Sequence, residues 1–305
     1  MERHADTESS GLNPFPAILF SIVVFMVGSG LLLYRARETP ASQQFVETPQ
    51  FLVWLFLIGA QVALWALFIL PLGRTLRKLK AHFAGHTWEI LGAASLFTML
   101  LAIPAILPAR YGSHSPLAYH RVKVGLLYAA GSTLALLAAV GLWLVRAALQ
   151  RLGGTPVEPV HHLAAFIRLR EQSQWFVTMA ATVLVLATLG ASALRNAILT
   201  VAPDTAKTFP PELVLLYGTY FSLLLALAYA PTHLALQATG RYLRDTYCPM
   251  PQPDSASWVS WYTHRKGIEE LLQFQLSTRA SVQTGVAIVA PLAGSVVSVL
   301  FGGGK

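Results

Sequence analysis

The chain has 305 residues, of which 54% are hydrophobic and 12% charged, where a soluble domain carries about a quarter charged residues. Together with a mean hydropathy of +0.54, this excludes an ordinary soluble globular fold. The net charge of +8 is spread over the ends of apolar stretches instead of being gathered in one patch, which argues against nucleic acid as a partner.

Every charged residue lies outside seven long runs, at 9–34, 48–73, 90–109, 124–145, 172–194, 213–240 and 280–304. A helix needs about 20 apolar residues to cross the hydrocarbon core. Six stretches meet that length, at 15–34, 51–73, 88–109, 122–146, 175–199 and 212–236. The expected fold is therefore all-α, a polytopic integral membrane protein with a six-helix transmembrane bundle over residues 14–237. The polar stretch 1–13 holds three acids and one Arg and precedes a long apolar run, which reads as a retained first span and not as a cleaved signal peptide.

Six spans place both ends of the bundle on one face. That face would carry 15 of the 22 Lys and Arg, among them Arg74, Arg77, Lys78, Lys80, Arg146, Arg151, Arg168, Arg170, Arg241 and Arg244. The positive-inside rule makes it cytoplasmic. Trp54, Trp88, Trp143 and Trp175 fall near run ends, where an amphipathic ring prefers the interface. The Ala, Leu and Arg bias suits a bacterial plasma membrane, with the bilayer itself as the first partner.

On the cytoplasmic side, residues 160–174 read as a short interfacial helix. The sixth helix continues toward Asp245, Cys248 to Pro253 breaks it, and Ser255 to Ser277 forms a second helix, which gives a cytoplasmic helical tail at 238–279. The segment 280–305 is apolar but rich in small residues and interrupted by Pro291. It is either a seventh or re-entrant helix or an apolar tail folded on the bundle or on a partner. Ala290, Gly294 and Ser298 form a small-residue stripe suited to close helix approach, as in a homo-oligomer or a pore.

His82, His86 and Glu89 recur at helical spacing and would suit a metal ion at the mouth of the third span. With Glu158-Pro-Val-His161-His162, the string His82-x3-His86 resembles the histidine boxes of membrane di-iron desaturases and hydroxylases. The resemblance covers these two strings. The third box that the family needs after the later spans is absent, which leaves too few histidines for two irons. No P-loop, G-x-S-x-G or H-E-x-x-H string occurs.

Within the spans, Gln61, Tyr217, Thr219 and Tyr220 form a candidate polar track for a small solute. Pro71, Pro104 and Pro231 read as kinks or terminations near helix ends. The function expected from the whole is non-enzymatic and without a cofactor. The leading expectation is an oligomeric pore-type effector or membrane scaffold, regulated through its cytoplasmic tail by a protein partner. A solute transporter or channel is the alternative, and a metal-dependent enzyme the third.

Overall fold

A computed structural model describes residues 15–80, 85–111, 117–152, 159–207, 209–251, 257–271 and 278–302. All regular structure among them is helical: α1 (Phe15–Leu33), α2 (Pro40–Val46), α3 (Pro49–Leu79), α4 (Thr87–Tyr111), α5 (His120–Leu152), α6 (Pro159–Val201), a 3₁₀ turn (Pro203–Lys207), α7 (Pro211–Tyr247), α8 (Trp258–Leu271) and α9 (Thr278–Gly302). Hydrocarbon offers a peptide group no hydrogen-bond partner, so the charge-free runs satisfy their backbone internally as helices. Prolines sit at the starts of α2, α3 and α7, where a missing N–H costs nothing. Thr48 caps α3, its hydroxyl oxygen accepting from the Phe51 N–H at 3.2 Å.

Six helices, α1 and α3 to α7, are long and apolar enough to cross a membrane, matching the six expected spans. One local expectation changes. The interfacial helix expected at 160–174 is the first part of α6, because no Gly or Pro between Val160 and Leu189 interrupts the helix. Of the tail helix expected at 255–277, Trp258–Leu271 is helical and 255, 256 and 272–277 lie outside the described residues; α2 was not foreseen.

α5 and α6 form the centre, each with 61% of its apolar window buried against 17% for α1. They approach closely at Gly141, where any Cβ would overlap the Phe176 ring. Leu142, Val145, Leu149, Phe176, Val177 and Met179 fill the interior around that contact. α1 packs on α3, with Gly59 under Ser29 and Phe25. On the face that carries α2, the buried Lys123 ammonium donates to the carbonyls of Leu32 at 2.9 Å and Tyr34 at 2.6 Å, closing the end of α1. Arg35 beside it pairs with Glu38, which holds its guanidinium above its ordinary pKa.

α9 lies along α6 and α7. Gly294 faces Val185 and Leu189 of α6, and a Cβ at Gly218 of α7 would stand 2.7 Å from the Pro291 carbonyl oxygen. Pro291 and its neighbours meet α7 through the Leu292 N–H, which donates to Ser222 Oγ at 3.1 Å. Tyr229 and Thr284 also hydrogen-bond. Pairing 284 with 229 and 292 with 222 makes α9 antiparallel to α7, and puts Leu292 level with a point about 16 Å from the start of α7. Of the two expectations for 280–305, a seventh or re-entrant helix or an apolar tail folded on the bundle or a partner, the packing of α9 along α6 and α7 fits a helix within the bundle, while its described apolar stretch, Thr284–Val297, is shorter than the six spans.

Two outcomes are expected. Gly141→Ala should lower thermal stability in detergent by about 1–3 kcal/mol through overpacking, whereas Gly30→Ala, where a Cβ meets nothing within 4 Å, should not. A topology reporter fused after Lys305 should report the side opposite to one inserted at Pro251; the same side at both would mean that α9 does not cross.

Candidate functional site

Pro104 and Pro108 lie four residues apart inside α4. A proline has no N–H, so the carbonyl four residues before it loses its helical donor. The carbonyls concerned are those of Leu100 and Pro104. Both receive donors from α7: the Tyr220 hydroxyl donates to Leu100 O at 2.6 Å and the Tyr217 hydroxyl to Pro104 O at 3.0 Å. Tyr128 of α5 donates to Leu101 O, between them. Three tyrosine hydroxyls from two helices therefore converge on the proline-containing stretch of a third.

Tyr217 and Tyr220 reach the same helix because three residues separate them on α7, which puts both on one face. Thr219 lies between them on another face; it is exposed and its hydroxyl donates back to Leu215 O at 2.9 Å. Gln61 belongs to a different seam, on α3 beside Gly190 of α6. Its Oε1 is buried without a hydrogen-bond partner, as is Nε1 of Trp65 one turn further on. Of the four residues of the expected track, two come together and two stand apart.

Behind α4 is a cavity of about 20 Å³, bounded on the α4 side by Phe97 and Leu101 and otherwise by side chains such as Ala139, Leu184, Leu225 and Ala228. Every residue lining it is apolar.

At the basic face, Glu89 pairs with Arg146 at 2.9 Å, and Arg146 stacks over Trp143 at 4.8 Å. His86 Nδ1 is 3.6 Å from the Glu89 carboxylate, outside hydrogen-bond reach. His82 lies outside the described residues. Among the described residues no three of His, Cys, Asp and Glu converge as a metal site would require. Of the small-residue stripe, Gly294 faces α6 of its own chain, Ala290 is partly buried, and the Ser298 side chain lies outside the described residues.

Beyond the hydrocarbon on this face, α5, α6 and α7 continue as a helical stalk. His162 Nδ1 meets the Tyr247 hydroxyl at 2.6 Å and the Thr239 hydroxyl donates to Leu149 O at 3.4 Å. α8 runs back along the end of α7. Arg244 and Arg265 share Glu269 at 3.3 and 3.4 Å, and Trp261 Nε1 donates to Pro249 O at 2.8 Å. Arg265 also stacks over Trp261 at 5.1 Å.

The sequence reading missed Tyr128, the donor role of Tyr217 and Tyr220 toward α4, and the Glu89–Arg146 pair. One signal was present: two prolines four apart leave two acceptors one turn apart, a spacing that two tyrosines three apart can match. The fold and these seams define a polytopic α-helical membrane protein. No family model, curated protein or solved structure matches the chain.

Tyr220→Phe should cost about 1 kcal/mol of stability in detergent by leaving Leu100 O without a donor. Thr219→Val, which removes only a bond within its own helix, should be neutral in the same thermal assay.

Proposed function

We propose that the protein is a non-enzymatic scaffold of a bacterial plasma membrane that presents its basic face to a cytoplasmic protein partner. The observation that carries this reading is the stalk. α6 has 43 residues, a length of about 64 Å, against a hydrocarbon core of about 30 Å. Its excess is the segment before Trp175, which holds His161, His162, Arg168, Arg170 and Glu171. The polar end of α7 and the last turn of α5 accompany it, and side-chain hydrogen bonds and shared carboxylates tie these extensions and α8 together. Ordering them costs conformational entropy that membrane anchoring alone does not require. Their excess of Lys and Arg favours the cytoplasmic side.

The exposed Val259 and Tyr262 of α8, with Trp258 beside them, make the end of the stalk the contact surface. Aromatic side chains beside Arg are the usual anchors of such surfaces. A solute path is the second reading, favoured by the convergence of Tyr128, Tyr217 and Tyr220 on α4 beside the cavity.

A photo-crosslinking residue at Val259 in cells should give a discrete protein adduct that the same residue at Leu223, an exposed position in the spanning part of α7, does not give. The purified full chain in liposomes should leave an imposed membrane potential as protein-free vesicles do. Dissipation of that potential, or no adduct at Val259, would overturn the scaffold reading, the first in favour of a pore or a solute path.

A further inference from the structure

The outward face of α3 changes character along its length. Leu67 and Leu70 are exposed, Leu70 to 63%, and belong to the apolar surface that meets hydrocarbon. Arg74, Arg77 and Lys78 continue the same stripe at steps of three and four residues, and Lys80 flanks it. All four cations are exposed, whereas Leu72 and Leu79, on the opposite side of the helix, are buried against the bundle. The charge of this stripe therefore lies on the side away from the protein. Its level follows from length. The apolar run 51–73 covers about 34 Å, against a hydrocarbon core of about 30 Å. Arg74 follows that run directly and Lys78 is about 6 Å further on, within the headgroup layer of a bilayer. Trp88, 86% exposed, stands at the matching boundary of α4, where an amphipathic ring prefers the headgroup region. On the basic face Glu89 is engaged by Arg146, and Asp245 and Glu269 by Arg244 and Arg265. Among the described residues no carboxylate pairs with Arg74, Arg77, Lys78 or Lys80, and Arg77 Nε donates to Gly73 O at 3.2 Å.

We propose that this face of α3 is a binding surface for anionic phospholipid, with an acyl chain along Leu67 and Leu70 and the phosphate held by Arg74, Arg77 and Lys78. The occupant follows from the order of the chemistry along the helix. A molecule that lies on this stripe has to be apolar beside Leu67 and Leu70 and anionic one turn beyond them. That is the build of a phospholipid, and neither a soluble anion nor a water-soluble protein segment has it. Guanidinium groups take phosphate oxygens in pairs, and an ammonium adds a point charge beside them. Four cations without carboxylate partners also distinguish between lipids. A zwitterionic headgroup brings a cation of its own, so a lipid of net negative charge neutralises the stripe better. The surface lies at the membrane boundary, apart from the end of the stalk, and it does not depend on what the stalk contacts.

The test uses the full chain carrying Cys248→Ser, with a fluorophore on Leu70→Cys. For comparison the fluorophore is placed on Leu234→Cys, exposed at the same end of α7, where the next cation is Arg241. Vesicles of phosphatidylcholine with a minor share of phosphatidylglycerol are made in two forms, with a nitroxide near the top of an acyl chain on one lipid or on the other. At equal mole fraction the phosphatidylglycerol nitroxide should quench the Leu70 label at least about three-fold more effectively than the phosphatidylcholine nitroxide, relative to the same ratio at Leu234. Arg74→Gln, Arg77→Gln, Lys78→Gln and Lys80→Gln together should bring the ratio at Leu70 down to that at Leu234. Arg74→Gln with Lys78→Gln should lower it part of the way, and serves if the fourfold variant fails to insert, since it keeps Arg77 and Lys80. Equal ratios at Leu70 and Leu234 in the otherwise unaltered chain would overturn the proposal, and so would a high ratio at Leu70 that survives in the Gln variants. No protein partner takes part in this readout, so the scaffold reading stands or falls separately.

Discussion

A peptide group in hydrocarbon has no water to turn to, and an unsatisfied carbonyl there costs several kcal/mol. That constraint makes each apolar run helical, and it also governs what happens where a helix is interrupted. Two prolines in α4 free two carbonyls, and the fold answers with two tyrosines on α7 and a third on α5. The same accounting applies at the end of α1, where Lys123 gives its ammonium protons to the carbonyls of Leu32 and Tyr34. Side chains complete the backbone hydrogen bonding where the helices cannot, and those side chains are what join peripheral helices to the centre.

The centre is held differently. In lipid there is no hydrophobic drive to bring apolar helices together, so association depends on packing and on small residues that let backbones approach. Gly141 receives the Phe176 ring, Gly59 receives Ser29 and Phe25, and Gly218 receives Pro291 and Ser295. Each pairs an absent side chain on one helix with a side chain or carbonyl on the next. The apolar C-terminal segment joins the bundle by this means. Its small residues, which on sequence grounds suit association between chains, face α6 within the chain at Gly294.

Polar chemistry is pushed to the two faces. On the basic face Glu89 is engaged by Arg146, and Asp245 and Glu269 by Arg244 and Arg265. Engagement by a guanidinium competes with metal ligation for Glu89, since the same carboxylate oxygens would have to serve both. The ends of α5, α6, α7 and α8 are joined by side-chain hydrogen bonds and shared carboxylates, and α8 leaves Tyr262 and Val259 exposed, which gives the scaffold reading its physical content.

Class and the positions of the six long apolar helices were legible in the sequence because they depend on one-dimensional properties: the length of a run without charge and the spacing of prolines. The continuity of α7 to Tyr247 and the break after it were legible for the same reason. Partnerships were not. Tyr220 finds Leu100 across 120 positions and Tyr217 finds Pro104 across 113, and helical periodicity indicates which face a residue occupies but not which helix that face meets. Gln61 and Thr219 show the limit most directly. Both are polar residues in apolar spans, like the tyrosines, yet one sits in the seam between α3 and α6 and the other bonds back to its own helix. The sequence determined that the chain is a polytopic helical bundle and where its six long apolar runs lie. Tertiary structure decided which polar groups meet, because that depends on how helices pack around Gly141 and Gly218, a matter of shape that no run of residues encodes by itself.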